Sequence, residues 1–509
     1  MKKPASPVKI LKDRAQLLHA RGQTGEAVMI WRNILLARPD DVDVLLAMGR
    51  ALFEAGRIAE AEASLRVAVE RAPQRPEIWI ALSQCLQSWG SWQEAEDCLH
   101  NATARAPDRW EAHQALGALK LAQGSIMEAM AAFQAALDRN SDFAPARIGL
   151  GRGWWLRGQA EEAIRHFKEA AESAPKMPET QLQLGLALLS QGKGAEGWRA
   201  LEGRMNAQTQ LNDPPIQLDP KIKTLPLWNG QPLTHETLLV THEGGLCEAL
   251  QFSRLLNRIP AERVIYHCPA SLKALLQGSH SKAEFVSDHE TAPAADRRVP
   301  LLSLPHLLNL DRPDDQKPYL RADPTLLSPW RSRLEGGVKI GIAWKGGSRP
   351  FDAGERYVPL EAFRPLNELE GVSLVSLQKG DGRQEMDAVP FPVHDFDSEM
   401  DEEQDAFLDS AAMIQAMPLV IAVDGAIAHL AGALGRPVWC LLPPDLPEWR
   451  WQAEGRDTPW YPTMDLFRCP DSGNWENLMQ ELATRLRRMM AGEDPDTPAL
   501  PLDLPENGK

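Results

Sequence analysis

The chain has 509 residues, 43% hydrophobic and 25% charged, with a formal net charge of −15. That balance describes a globular protein and excludes nucleic acid or an anionic membrane as the main partner. At roughly 150 residues per domain the length allows about three domains. Cys85, Cys98, Cys247, Cys268, Cys440 and Cys469 form no CxxC pair, so buried, reduced thiols in a cytoplasmic protein are expected. Met1–Arg14 is basic but lacks the apolar stretch of a signal peptide. The longest apolar region, Ala411–Gly435, is broken by Asp424 and contains Pro418. It reads as a buried strand plus a helix, with no membrane span.

Glycine recurs every 34 residues through the first part of the chain, at Gly22, Gly56, Gly90, Gly124, Gly158 and Gly192. Alanine follows five residues later at Ala27, Ala61, Ala95, Ala129 and Ala163, and Ala15, Gly49, Ser83, Gly117, Gly151 and Gly185 stand seven before. This period with small residues at fixed offsets marks stacked helix-turn-helix units and resembles the tetratricopeptide repeat family over about residues 8–205. Glycine belongs in the inter-helix turn, where positive φ is cheap, and the small residues let paired helices approach. The periodic prolines Pro39, Pro73, Pro107 and Pro175 suit the start of the following helix. In the sixth unit Gly197 replaces the packing alanine and Trp198 follows, as if this unit docks onto what comes next. Such a stack presents a protein-binding surface.

Residues 206–227 have a linker composition, with Asn206, Asn212, Pro214, Pro215 and Pro220. Beyond them, strands are expected at Thr237–Thr241, Val264–His267, Val299–Leu304, Val338–Trp344, Val372–Leu377, Leu419–Val423 and Pro437–Leu442. A helix is expected from Glu248 to Asn257, and a proline-rich stretch, Pro318–Pro329, separates two blocks. Alternating strands and helices predict two α/β domains with parallel sheets, 228–330 and 331–493, facing across a cleft. Residues 494–509 read as a disordered, acid-rich tail, and Asp395–Asp409 as a solvated acidic run.

Ligands of such sheets bind beyond the carboxyl ends of the strands. The first strand ends in His242-Glu243-Gly244-Gly245-Leu246-Cys247-Glu248, a later one in Lys345-Gly346-Gly347-Ser348 with Arg349 and Arg356 following. A third ends in Asp424-Gly425-Ala426-Ile427-Ala428-His429. The last is a strand, a tight turn and a helix start, whose free N–H groups suit an anion. Lys345 offers a charge to phosphate and Glu248 a base to an attacking hydroxyl. Each has a plainer alternative: Asp424 as a helix cap, His429 as a core histidine, Glu248 as a solvated first-turn residue and Lys345 as a surface lysine. Trp449 and Trp451 read as wall and core, and Cys247 as a packing residue with no basic neighbour in sequence.

The segment VDGAIAHLAGALGRPVWCLLP (423–443), with PEWRW (447–451) and TPWYPTMDLFR (458–468), resembles the carboxyl-terminal domain of bacterial glycosyltransferases related to the ADP-heptosyltransferases, glycosyltransferase family nine. THEGGLCEALQF (241–252), GIAWKGG (341–347), Arg356 with VPL, and SLQKG (376–380) extend the resemblance. Joined to tetratricopeptide repeats, the plan is similar to that of O-GlcNAc transferases and bacterial flagellin glycosyltransferases. The resemblance implies a GT-B fold of two Rossmann-like domains, a nucleotide-sugar donor, and inverting transfer without a metal or other cofactor. It implies Glu248 as general base and Lys345, Gly346, Arg356, Gln378, Lys379, Asp424, Gly425, His429 and Arg450 as donor-binding residues. The sequence departs from that pattern at Cys247 (usually glycine), Glu248 (usually aspartate) and Gly425 (usually threonine or serine).

The expectation is a cytoplasmic protein O-glycosyltransferase acting on Ser or Thr of an acceptor held by the repeats, flagellin being one candidate. The alternatives are a scaffold or chaperone with a degenerate transferase domain, and a lipopolysaccharide heptosyltransferase-like enzyme.

Overall fold

Twelve helices pair off along the first part of the chain, from Pro7–Ala20 with Thr24–Ala37 to Pro178–Ser190 with Gly194–Leu201. The computed structural model describes residues 7–206, 219–312, 317–347, 356–400, 407–443, 449–451, 455–470 and 474–493. Residues 207–218 of the expected linker, Ser348 and Arg349, residues 401–406 of the acidic run and the tail 494–509 lie outside them.

The six periodic glycines take φ between 69° and 79°, each in the turn inside a pair. The small residues seven positions earlier act by absence of bulk. A Cβ on Gly49 would lie 2.7 Å from Leu65, and one on Gly117 2.6 Å from Phe133. The periodic prolines do not open the next helix. Pro39, Pro73, Pro107 and Pro175 sit in the turns after the first, second, third and fifth pairs, and Pro76 and Pro178 stand first in a helix. The reason is the residue before proline, which is pushed out of the helical region. Arg38, Ala72, Ala106 and Ala174 have φ between −142° and −135° and end their helices.

Packing divides the chain into two units, Met1–Thr180 and Gln181–Lys509. The period runs on to about residue 205, yet the sixth pair belongs to the second unit from Gln181 onward. Trp198 is buried there, edge-on to Phe252, Trp449 and Trp460.

The second unit holds two parallel sheets. The first consists of β1 (Leu233–Thr241), β2 (Ala261–Cys268), β3 (Ala283–Ser287) and β4 (Arg297–Pro300), in the order β3-β2-β1-β4. The second consists of β5 (Val338–Ala343), β6 (Val372–Ser376), β7 (Leu419–Val423), β8 (Val438–Leu442) and β9 (Met464–Arg468), in the order β6-β5-β7-β8-β9. The expected Val299–Leu304 strand ends at Pro300 and turns into a 3₁₀ segment. The expected Glu248–Asn257 helix is Leu246–Phe252 followed by 3₁₀ Ser253–Arg258. Sequence reading missed β3 and β9, which are short and flanked by helix or loop. The 330 boundary falls inside the Pro324–Arg333 helix, whose Trp330 indole donates to Asp409 at 2.6 Å.

Both faces of the second sheet are covered, which is why its strands read as unbroken apolar runs. Along β7, Leu419, Ile421 and Val423 face one core with the Trp475–Met490 helix, while Val420 and Ala422 face the other. Among the described residues no helix is long and apolar enough to cross a membrane. All six cysteines are buried and unbonded to one another.

Candidate functional site

The carboxyl end of β1 turns through Gly244, with φ 85°, into the Leu246–Phe252 helix. Glu248 folds back so that the Gly245 N–H donates to its Oε2 at 2.7 Å, satisfying an otherwise free helix-start donor. Its Oε1 accepts from Arg450 Nη2. Arg450 also donates from Nε to Gln251 Oε1 at 2.7 Å and lies 4.2 Å over the Trp449 ring. Glu248 and Arg450 are both buried, so Glu248 is not a solvated surface residue. The same turn is fastened from behind by Arg204, which binds Glu243 through two bonds of 2.8 Å and also Ser303. Burial opposes the Arg204 charge, but Glu243 and Glu202 more than offset it and raise the pKa. His242 is buried beside Tyr266 (3.2 Å), and desolvation lowers its pKa to about 4.

In the second sheet, β5, β6 and β7 end side by side. Gln378 is buried, and its amide is spent on backbone. Oε1 accepts from Trp344 N and Lys345 N, both at 3.0 Å, while Nε2 donates to the carbonyls of Lys345 (2.9 Å), Asp381 (2.8 Å) and Lys379 (3.2 Å). It therefore staples the ends of β5 and β6 together and leaves no amide group for a nucleotide. Lys345 is part-exposed, with Nζ 3.7 Å from Asp381 and 6.0 Å from the Tyr357 ring. Lys379 reaches the Met400 sulfur at 3.8 Å.

Lys345 pairs antiparallel with Tyr357, and Gly346 N donates to Arg356 O at 2.8 Å. This pairing brings Arg356 to the end of β7, where its Nε lies 3.4 Å from Asp424 Oδ2. Asp424 does not cap the Ala426–Ala433 helix, whose N-cap is Gly425 without a side-chain bond. Instead its Oδ1 lies 3.5 Å from His429 Nε2. His429 Nδ1 is 2.8 Å from the Tyr461 hydroxyl, and its ring lies 5.4 Å from Trp451. Burial disfavours the His429 cation, but Cys247 and Asp424 outweigh it and raise the pKa. Cys247 has no basic neighbour in sequence, yet the fold sets it close enough to His429 to act on the imidazole charge.

The structure thus gathers Asp424, His429, Arg356 and Gly346 into one cluster, and Glu248 with Arg450 into another. Cys247 belongs to both, by sequence to one and by contact to the other. Sequence reasoning missed Arg204, Gln251, Tyr461 and the Cys247 contact. TPWYPTMDLFR held the signal for Tyr461, whose hydroxyl needs a buried partner. Nothing local in the sequence flags Arg204.

The site sits on an α/β unit of parallel sheets preceded by tetratricopeptide repeats. Residues 18–85 match one tetratricopeptide repeat family, and 89–145 and 114–178 match a second. Protein FlbA of Caulobacter vibrioides is 28% identical over 337 residues, 60% of this chain and 54% of the relative. The chain therefore spans about half the length of that curated relative. Among solved structures, MamA is 24% identical and covers 32% of this chain and 95% of its own, with a TM-score of 0.29. A thermophilic TPR protein of Thermus thermophilus, TTC0263, is 22% identical, covering 36% and 99%, with a TM-score of 0.33.

Proposed function

We propose that this chain is a protein O-glycosyltransferase of GT-B plan, transferring sugar from a nucleotide-sugar donor to Ser or Thr hydroxyls of a protein held by the repeats. The observation that carries the reading is the convergence of two strand-end turns from separate parallel sheets. The β1 turn brings Glu248, and the β5 and β7 ends bring Lys345, Arg356 and the Gly425 helix start. In that arrangement Glu248 takes the proton of the acceptor hydroxyl. The oxygen attacks the anomeric carbon, and the bond from that carbon to the phosphate oxygen breaks. Lys345, Arg356 and the backbone N–H groups after Asp424 stabilise the departing nucleotide. Arg450 must release Oε1 of Glu248 for this step, so Glu248 acts only after Arg450 moves to the donor. Gln378 contributes by holding Lys345 rather than by touching the nucleotide.

A second reading, a repeat scaffold whose transferase domain is inactive, is favoured by the engagement of both Glu248 oxygens and by the side chain at Cys247. The full chain incubated with a panel of UDP-, ADP-, GDP- and CMP-sugars separates the two. Release of nucleotide that falls about a hundredfold or more in Glu248→Gln supports the transferase. No nucleotide release and no sugar added to any protein captured by the repeats leaves the scaffold.

A further inference from the structure

We propose that Tyr461 is a positioning residue: by hydrogen-bonding His429 Nδ1 it aims Nε2 at Asp424 Oδ1, 3.5 Å away and within ion-pair range, and so sets the charge that faces that carboxylate at the end of β7. Tyr461 belongs to the segment before β9 and is 1% exposed. Its ring packs against the Ala426–Ala433 helix at Gly432, where a Cβ would stand 2.6 Å from the tyrosine Cγ. Glycine at 432 is therefore what lets the hydroxyl reach His429. From there a row of polar atoms runs on to Arg356. The phenol oxygen lies 2.8 Å from Nδ1, Nε2 3.5 Å from Asp424 Oδ1, and Asp424 Oδ2 3.4 Å from Arg356 Nε.

The order of these atoms decides where protons sit. Asp424 beside Arg356 is a carboxylate, so the nitrogen facing it carries a proton. Nδ1 is left to the phenol, accepting its O–H when the ring is neutral and donating to its oxygen when the ring is charged. Among the described residues, few titratable or charged groups surround this line. Cys247 meets His429 from the Leu246–Phe252 helix. Arg254 lies 5.1 Å over the Tyr461 ring, and Tyr319 and Arg450 also act on Tyr461. The Asp424 carboxylate within ion-pair range favours the imidazolium, and Tyr461 then serves as its acceptor. The inference rests on the proposed function only for the use made of Asp424.

The test uses the full chain carrying ¹⁵N-labelled histidine, with His429 assigned by His429→Gln. Two-bond proton–nitrogen spectra across pH 5–9 read the tautomer and the titration midpoint. The expected wild-type signature is a proton on Nε2 at every pH. The expected effect of Tyr461→Phe, which keeps the ring but removes the acceptor, is a midpoint lower by about one pH unit. An unchanged midpoint and tautomer in Tyr461→Phe overturns the proposal. Should that variant fail to fold, the wild-type spectrum decides, because His429 protonated on Nδ1 alone also overturns it. Pyrophosphate titrated into the same samples is read separately. Failure to bind the wild type overturns the donor-site reading and leaves the Tyr461 assignment to the spectra.

Discussion

Arg450 and Glu248 stand 202 residues apart in sequence and form one buried ion pair, with the Gly245 N–H on the second carboxylate oxygen and Gln251 Oε1 accepting from Arg450 Nε. Neither partner can be removed without leaving the other's buried charge uncompensated, at a cost of about 3–5 kcal/mol. Glu248→Gln and Arg450→Met should each destabilise the second unit by roughly 3 kcal/mol, and the double variant by clearly less than the sum. Denaturant titration of the four proteins measures this. Simple additivity would mean that the two side chains act independently.

Gln378 fills a structural post, so its loss should register in stability before activity. Gln378→Leu strands the N–H groups of Trp344 and Lys345, each costing about 1–3 kcal/mol when buried without an acceptor. Gln378→Glu should be no better, because a carboxylate oxygen would then face three carbonyls. Both variants are expected to unfold at lower urea concentration, and an unchanged midpoint would refute the staple.

The glycines that follow β5 and β7, Gly346 and Gly425, should behave differently. Gly425 has φ −171° and ψ −178°, an extended backbone open to any residue, and a Cβ there meets nothing closer than 3.7 Å. Gly425→Ser should leave stability within about 0.5 kcal/mol. If the donor reading holds, the added hydroxyl should tighten nucleoside diphosphate binding by about 1 kcal/mol. A Cβ at Gly346 would instead stand 3.0 Å from the Asp424 carbonyl oxygen and 3.1 Å from Arg356. Gly346→Ala should destabilise by roughly 1–3 kcal/mol. Calorimetry and thermal melts of the pair check both halves.

In the repeats, two kinds of glycine make separable contributions. Gly56→Ala meets no atom within 4 Å but must hold φ 74°, which costs about 1–2 kcal/mol. Gly117→Ala keeps helical geometry but drives a methyl into Phe133. Phe133→Leu should relieve Gly117→Ala and leave Gly56→Ala unaffected. Thermal melts of the single and double variants decide.

Acid should weaken the second unit through two histidines. His242 and His280 are buried and neutral, with pKa values lowered by desolvation to about 4. As pH falls from about 6.5 to 4, the unfolded chain takes up protons that the native state refuses, so stability drops, by on the order of 3 kcal/mol for each. His429 has the opposite sign. Its raised pKa adds stability below about 6.5 that is lost as pH rises through the folded value. His280→Phe should flatten the fall between pH 7 and 4.5 in urea midpoints, and an unchanged slope would exclude His280 as a source.

The sequence by itself determined the repeats, because their geometry is local. A turn needs positive φ at Gly22 or Gly56 whatever surrounds it, and a close helix pair needs a small residue at Gly49 or Gly117. It also marked the strands β5, β7 and β8, whose burial on both faces leaves unbroken apolar runs. The ends of those strands were legible too, since Asp424 and Lys345 interrupt apolar stretches. What those residues touch was decided by the tertiary structure alone. Glu248 reads as an available base until Arg450 arrives from 202 positions away, and Gln378 reads as a ligand until its amide closes on Lys345. Cys247 reads as isolated until the fold sets it beside His429. Side-chain hydrogen bonds and ion pairs act over about 3 Å between segments that only packing brings together, and no periodicity along the chain encodes that distance.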